Sequence, residues 1–386
     1  MDKKRIAILF ECNVEKIRGE FTAIHNRVKE LSKYDGITVD VYVYGRYYGY
    51  LVQKIKGLNQ TAKKECIYVE GIRYNCLWYK KSIRDHIANK LLKKSLGIVR
   101  KRFESFADRF IGYDLIYANS LHTALIGMKI KQKTNKPFIC MWHGSSIHTH
   151  PFNNKSIMQW TKEVLENADM NLFVSDELFE TAKGFTNKLK GAISYNGIDT
   201  GKFYRLTDEE KYILRQGKGI AKEEKCVAFI GNCQPIKNIQ YLPILFSKIA
   251  KEIENIRFFI IGKGEFAPYF ENSKENITFV NEVKNEDMPE WYNMMDLIVM
   301  PSINEGLPMT CLEATACGTP FVGSRVGAIA DIVGLDNTVA HGENFNDEFS
   351  ALCIKRLKDG RANTLPSKVS LKNIVEKEIS IINKLV

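Results

Sequence analysis

Pro301-Ser302-Ile303-Asn304-Glu305-Gly306-Leu307-Pro308-Met309-Thr310-Cys311-Leu312-Glu313-Ala314 is the stretch on which fold and chemistry both turn. It follows Leu297–Met300, a short apolar run that reads as a buried parallel strand. Gly306 permits close backbone approach, and Pro308 suits the first turn of a helix. Strand, loop and helix therefore follow one another, with Glu305 in the loop and Glu313 inside the helix. The amides of Met309 and Thr310 begin that helix, where unpaired N–H groups and the helix dipole favour an anion such as a diphosphate. Carboxylates accept hydrogen bonds strongly from hydroxyls, and sugar and ribose rings both supply them.

Outward from this stretch, short β-rich runs alternate with longer helical ones, the pattern of parallel sheets flanked by helices. Ile6–Phe10, Val39–Tyr44, Leu115–Tyr117, Phe138–Trp142 and Leu172–Val174 read as strands of a first series, and Ile67–Val69 and Ile72–Asn75 as a small hairpin. Val227–Ile230, Phe258–Ile261, Ile277–Val280, Leu297–Met300 and Pro320–Val322 read as a second series. Helices are expected at 83–111, 238–253, 287–294, 309–317 and 371–385, among others. The polar stretch Thr207–Glu224 reads as the region of a domain junction. The expected domains are 1–200, 201–370 and a helix, 371–386, crossing back to the first domain. Ligands of such sheets bind beyond the carboxyl ends of their strands, so residues just after strands are the candidates.

The chain has 386 residues, enough for two domains that each bury a core. Its nine cysteines are scattered, with no C-x-x-C pair, which argues against a disulfide framework or a zinc site. No apolar run approaches the roughly 20 residues a spanning helix needs. The basic start, Met1 to Arg5, precedes an apolar run that stops at Glu11, so Ile6–Phe10 reads as a first strand and the protein as cytoplasmic. The net charge of +11 is uneven, because residues 51–150 hold 19 Lys and Arg against 6 Asp and Glu. Such asymmetry points to an anionic partner for the first half.

The stretch 301–314 resembles the E-x7-E signature of the retaining nucleotide-sugar glycosyltransferases of GT-B fold, in glycosyltransferase family 4 (glycosyl transferases group 1). The resemblance continues through Ala316-Cys317-Gly318-Thr319-Pro320 and Val326-Gly327-Ala328. It implies an α/β fold of two Rossmann-like doubly wound domains facing across a cleft. It implies that Glu305 contacts the donor sugar, that Glu313 holds the ribose hydroxyls, and that the backbone of Gly306, Leu307, Met309 and Thr310 meets sugar and diphosphate. Gly231-Asn232-Cys233-Gln234-Pro235-Ile236-Lys237 is similar to the family's first loop of the second domain. Lys237 matches the lysine expected to neutralise the leaving diphosphate, while Asn232 stands where an arginine is usual. Taken alone, Lys237 also reads as an exposed lysine near a helix start. Gly262-Lys263-Gly264 resembles the turn near the nucleotide base. Ala267 occupies the third glycine of a dinucleotide fingerprint, which excludes NAD on this reading.

In the first half, Gly19 lies where the family often carries two glycines, and reads equally as a turn before a helix. His143-Gly144-Ser145-Ser146 is similar to the family's His-Gly-Ser-Asp. The resemblance places His143 under the donor sugar, with a structural histidine as the alternative. His148 and His150 read as loop residues rather than a metal pair. Asn196-Gly197-Ile198-Asp199 resembles the crossing between domains. Residues 86–111 read as an amphipathic basic helix, either resting on an anionic membrane surface or packing on the core with a solvated charged face. The reading that follows is a retaining, metal-independent hexosyltransferase. It needs no cofactor, takes a UDP- or GDP-linked sugar as substrate and a glycan or lipid-linked acceptor, and binds no nucleic acid. It would serve bacterial surface polysaccharide (capsule) or lipid-linked glycan synthesis, in the cytoplasm and peripherally on the inner membrane face. A GT-B phosphorylase or epimerase, or a non-catalytic binder on the same fold, remain as rivals.

Overall fold

The structure, a computed structural model, describes residues 3–11, 19–48 and 63–386. Ile17 and Arg18, which precede Gly19, and Tyr50 lie outside them. The chain divides into two units, Met1–Asn196 with Leu371–Val386, and Gly197–Ser370.

The first unit is built on an eight-stranded sheet in the order β3-β4-β2-β1-β5-β6-β7-β8. Its strands are β1 (Lys4–Glu11), β2 (Ile37–Tyr48), β3 (Cys66–Val69), β4 (Ile72–Lys81), β5 (Leu115–Asn119), β6 (Phe138–Trp142), β7 (Met170–Phe173) and β8 (Gly191–Ile193). All neighbours run parallel except β3 and β4, the expected hairpin. The continuous apolar runs of β5 and β6 are buried along their whole length, as strands covered on both faces must be. The helix Leu371–Leu385 belongs to this unit and carries Glu378 into its core. There Arg27 Nε meets Glu378 Oε1 at 3.0 Å, Tyr117 donates to Oε2 at 3.0 Å, and the Ser194 hydroxyl also donates. A buried carboxylate is tolerable only when paired and hydrogen-bonded in this way.

The second unit holds a parallel sheet ordered β11-β10-β9-β12-β13-β14. Its strands are β9 (Lys225–Ile230), β10 (Ile256–Ile261), β11 (Ile277–Val280), β12 (Leu297–Met300), β13 (Phe321–Ser324) and β14 (Thr338–Val339). Phe246, Phe258 and Phe270 stack at the centre of its core, with ring centroids of Phe246 and Phe258 4.3 Å apart. Two parallel-sheet Rossmann-like domains are thus present, as the sequence implies.

Several expectations are corrected. Residues 83–111 do not form one helix but two, Ile83–Leu91 and Gly97–Glu104, followed by a 3-10 turn. Ser82 and Asp85 cap the first reciprocally, and Lys93, at φ 46°, breaks the chain after it. Phe103 and Phe110 are buried, but Leu91 and Leu92 are 73% and 67% exposed. The expected helix over 238–253 is α-helical only at Leu242–Ala250, because Asn238 is left-handed. Thr207–Glu224 lies inside the second unit as a capped helix, Asp208–Gly217, pinned by Arg215 to Asp296 at 3.0 Å. His148 and His150 sit in two four-residue helices rather than a loop.

Candidate functional site

In the second unit the chain runs β9 to β10 to β11 on one side, then returns to place β12 on the other side of β9. The crevice beyond the carboxyl ends of β9 and β12 is therefore the topological switch point, where doubly wound sheets bind ligands. The loop after β9 carries Gly231, Asn232 and Lys237, and the loop after β12 carries Glu305 and Gly306. The backbone joins the two loops directly, with Ile303 N donating to Ile236 O at 2.8 Å. Lys237 Nζ then lies 2.5 Å from Glu305 Oε1, and both side chains are largely withdrawn from solvent.

Glycines set how closely these loops approach. A Cβ on Gly262 would stand 1.9 Å from Gly231 O, and one on Gly264 would stand 2.4 Å from Cys233 Cβ. The turn from β10 thus lies flat on the β9 loop, tied by Cys233 N donating to Lys263 O. Likewise a Cβ on Gly327 would meet Gly306 O at 2.1 Å, and Ala328 N donates to that oxygen at 2.8 Å. The Glu305–Gly306 backbone is clamped from the β13 side.

The helix after this loop is Met309–Ala316, and Pro308 caps it without a side-chain bond. Its first amides have no partner within the helix. Leu307 and Met309 are buried, and Thr310 is half-buried, 3.5 Å from Ile230 O, too far for a strong bond. Glu313 is buried one turn further on, accepting from the Tyr292 hydroxyl at 2.6 Å. Burial pushes its carboxyl up, against the opposing pull of Tyr292 and the Lys202 charge. No sequence signal marks Tyr292, whose helix, Met288–Met294, meets Glu313 only through tertiary packing.

In the first unit β1 lies between β2 and β5, which makes a second switch point. Gly19 opens the helix Gly19–Leu31. His143 follows β6, and its Nε2 is buried without a hydrogen-bond partner among the described residues. Burial, aided by the Arg27 charge, pushes its imidazole down to about 3, so it is neutral near pH 7. Sequence reading missed a second cluster here. Glu11, the last residue of β1, accepts from Tyr79 at 2.6 Å and meets His122 Nδ1 at 3.0 Å. Burial opposes its ionisation, yet His122, Arg46 and Tyr79 hold its carboxyl down to about 2. Glu11 ends a strand and His122 stands just beyond one, a signal the sequence does contain.

Fold and sites together define a chain of two Rossmann-like units, the second of which assembles a lysine, two glutamates and a helix N-terminus at its β9/β12 switch point. Residues 224–359 match the Glycosyl transferases group 1 family model. Over 236 residues the chain is 28% identical to an uncharacterized glycosyltransferase of Methanocaldococcus jannaschii, covering 57% of this chain and 60% of that protein. It is 26% identical over 216 residues to the N-acetyl-alpha-D-glucosaminyl L-malate synthase of Bacillus anthracis, covering 54% and 53%. The chain thus spans little more than half the length of these relatives. In fold it resembles the sucrose-phosphate synthase of Thermosynechococcus elongatus, with a TM-score of 0.76 at 17% identity over 99% of both chains. It also resembles Anabaena HepE in complex with UDP and glucose, with a TM-score of 0.70 at 15% identity over 99% of this chain and 100% of that one. No helix among the described residues is long and apolar enough to cross a membrane.

Proposed function

We propose that this protein is a retaining glycosyltransferase that moves a hexose-type sugar from a UDP- or GDP-linked donor to an acceptor hydroxyl, without a metal. The observation that carries the proposal is the Lys237–Glu305 contact at the β9/β12 switch point, with Glu313 one helical turn behind it. Lys237 and the amides of Met309 and Thr310 face the diphosphate, and Glu313 accepts from the ribose. Glu305 holds Lys237 in place. With donor bound, Lys237 turns its charge to the diphosphate and Glu305 accepts from a sugar hydroxyl. Asn232 adds a neutral donor where an arginine would add a charge. The sugar C1–O bond to the diphosphate breaks as the C1–O bond to the acceptor forms, and the acceptor proton passes to the departing phosphate oxygen. His143, held neutral, offers its unpartnered nitrogen to a hydroxyl. That HepE and a trehalose-6-phosphate protein of similar fold are described with UDP and UDP-2-fluoro glucose favours a UDP-linked donor.

The setting we propose is bacterial surface polysaccharide or lipid-linked glycan synthesis, on the inner membrane face. A teichuronic acid biosynthesis glycosyltransferase among the relatives supports it. So does a surface patch in which exposed Ile83, Ile87, Leu91, Leu92 and Ile98 stand among exposed Arg84, Lys90, Lys93, Lys94 and Lys101. Each such basic residue adds about 1 kcal/mol of attraction to an anionic leaflet. Nucleoside diphosphate release from a panel of nucleotide sugars tests the reading. Release that depends on acceptor, is not driven by orthophosphate, and falls in Glu305→Ala supports it; no release from any donor overturns it.

A further inference from the structure

We infer that His341 is a positioning residue for donor recognition: its hydrogen bond to the Ser302 carbonyl fixes the loop that presents Glu305. This deepens the glycosyltransferase reading and rests on it. β12 and β14 lie on opposite sides of β13. Met300 ends β12 and Val339 ends β14, so Ser302 and His341 each stand two residues beyond a strand. His341 Nε2 lies 2.9 Å from Ser302 O. A carbonyl oxygen only accepts, so Nε2 carries the hydrogen and donates it.

The peptide unit concerned is held at both of its polar groups. Its C=O, from Ser302, accepts from His341, and its N–H, from Ile303, donates to Ile236 O at 2.8 Å. One bond comes from the loop after β14 and the other from the loop after β9, which carries Lys237. The unit is planar, so pinning both groups leaves it one orientation. Accepting at its oxygen also strengthens donation from its nitrogen. Glu305 follows and meets Lys237, and then Gly306 O accepts from Ala328 N at 2.8 Å. The loop 302–306 is thus bracketed on both sides of Glu305. The bonds of Ile303 and Ala328 join backbone groups. The bond of His341 comes from a side chain, so a single substitution there releases the peptide unit.

The imidazole ring is itself held. His341 is exposed, yet its ring stacks on Phe345 with centroids 4.2 Å apart and planes at 27°. Phe345 is buried and packs on Tyr241, whose hydroxyl donates to Asn346 O at 2.6 Å. Tyr241 ends the 3-10 turn Ile239–Tyr241, which follows Lys237 and Asn238. The support of His341 therefore packs beside the β9 loop while its Nε2 grips the β12 loop. The register between Lys237 and Glu305 is set through this support as well as through Ile303 and Ile236. Phenylalanine would keep the stack without the donor, whereas glutamine would keep a donor without the stack.

Amide hydrogen exchange and calorimetry on the full chain test the inference. In His341→Phe the Ile303 amide should exchange roughly tenfold faster than in wild type, and His341→Gln should bring it back. His341→Phe should bind UDP-glucose about three- to tenfold more weakly, the worth of one neutral hydrogen bond. UDP, which lacks the sugar that Glu305 meets, should bind within about twofold of wild type. In a Glu305→Ala background His341→Phe should weaken UDP-glucose no further, because His341 acts through that side chain. Ile303 exchange that matches wild type overturns the inference. So does equal weakening of UDP and UDP-glucose with a lowered Tm, the mark of a merely structural residue. If Glu305→Ala weakens UDP-glucose and His341→Phe does not, only this inference falls. If the wild-type chain binds neither UDP nor UDP-glucose, the reading of a UDP-linked donor falls, and Ile303 exchange, measured without ligand, still decides whether His341 holds the loop.

Discussion

Glu313→Gln separates the two demands placed on one side chain. Glu313 is buried with the Tyr292 hydroxyl 2.6 Å from Oε2, and burial pushes its carboxyl up. The raised value means that the ionised form opposes folding. Its favourable share of stability is full below the ordinary value of 4.5 and is lost as pH rises through the higher folded value. Glutamine keeps the shape, still accepts from Tyr292, and carries no charge to desolvate. Relief of such a functional compromise gives on the order of 1 kcal/mol, or about 2–4 °C in Tm for a unit of this size. The gain should be largest near neutral pH and shrink as pH falls toward the carboxylate range. Donor binding moves the other way. Exchanging a charged acceptor, about 1.5–3 kcal/mol per bond, for a neutral one, about 0.5–1.5, costs roughly tenfold in affinity. Thermal unfolding without ligand and calorimetry with UDP measure the two effects. A variant that melts lower, or binds UDP as tightly as wild type, refutes the reasoning.

Lys237→Met should lower kcat/KM by about 10- to 100-fold, the worth of one charge-assisted contact to the diphosphate, and Glu305→Ala by at least about tenfold; steady-state nucleotide release measures both. Glu378→Ala leaves Arg27 buried and unpaired, so it should destabilise the chain by about 3–5 kcal/mol in denaturant titration, whereas a loss under about 1 kcal/mol would make the C-terminal helix peripheral. His143 should show no NMR titration between pH 5 and 8. Its folded value is about 3 against 6.5 when unfolded, so the unfolded chain takes the proton first. Stability should then fall by about 1.4 kcal/mol per unit as pH drops below 6.5, and His143→Asn should flatten that slope.

The strands Phe138–Trp142 and Leu297–Met300 are legible to the residue, because buried parallel strands are continuous apolar runs bounded by breakers. The loop–helix stretch 301–314 is legible for a related reason, since glycine and proline mark its turns. The break inside 83–111 is not, because the apolar period runs on through Lys93 while the backbone turns left-handed there. Thr207-x-x-Glu210 does announce a helix start, yet its polar composition reads as a linker. Pairings across the fold are silent in the sequence. Glu11 meets His122 from 111 residues away, and Arg27 meets Glu378 from 351 away. Only the sheet orders reveal that the loops of Lys237 and Glu305 flank one switch point.

A crystal structure of the protein with UDP tests the central claim most directly. The account predicts the diphosphate within hydrogen-bond reach of Lys237 Nζ and the Met309 and Thr310 amides, with the ribose hydroxyls on Glu313. A nucleotide bound elsewhere, with Lys237 still held by Glu305 and Glu313 untouched, contradicts it.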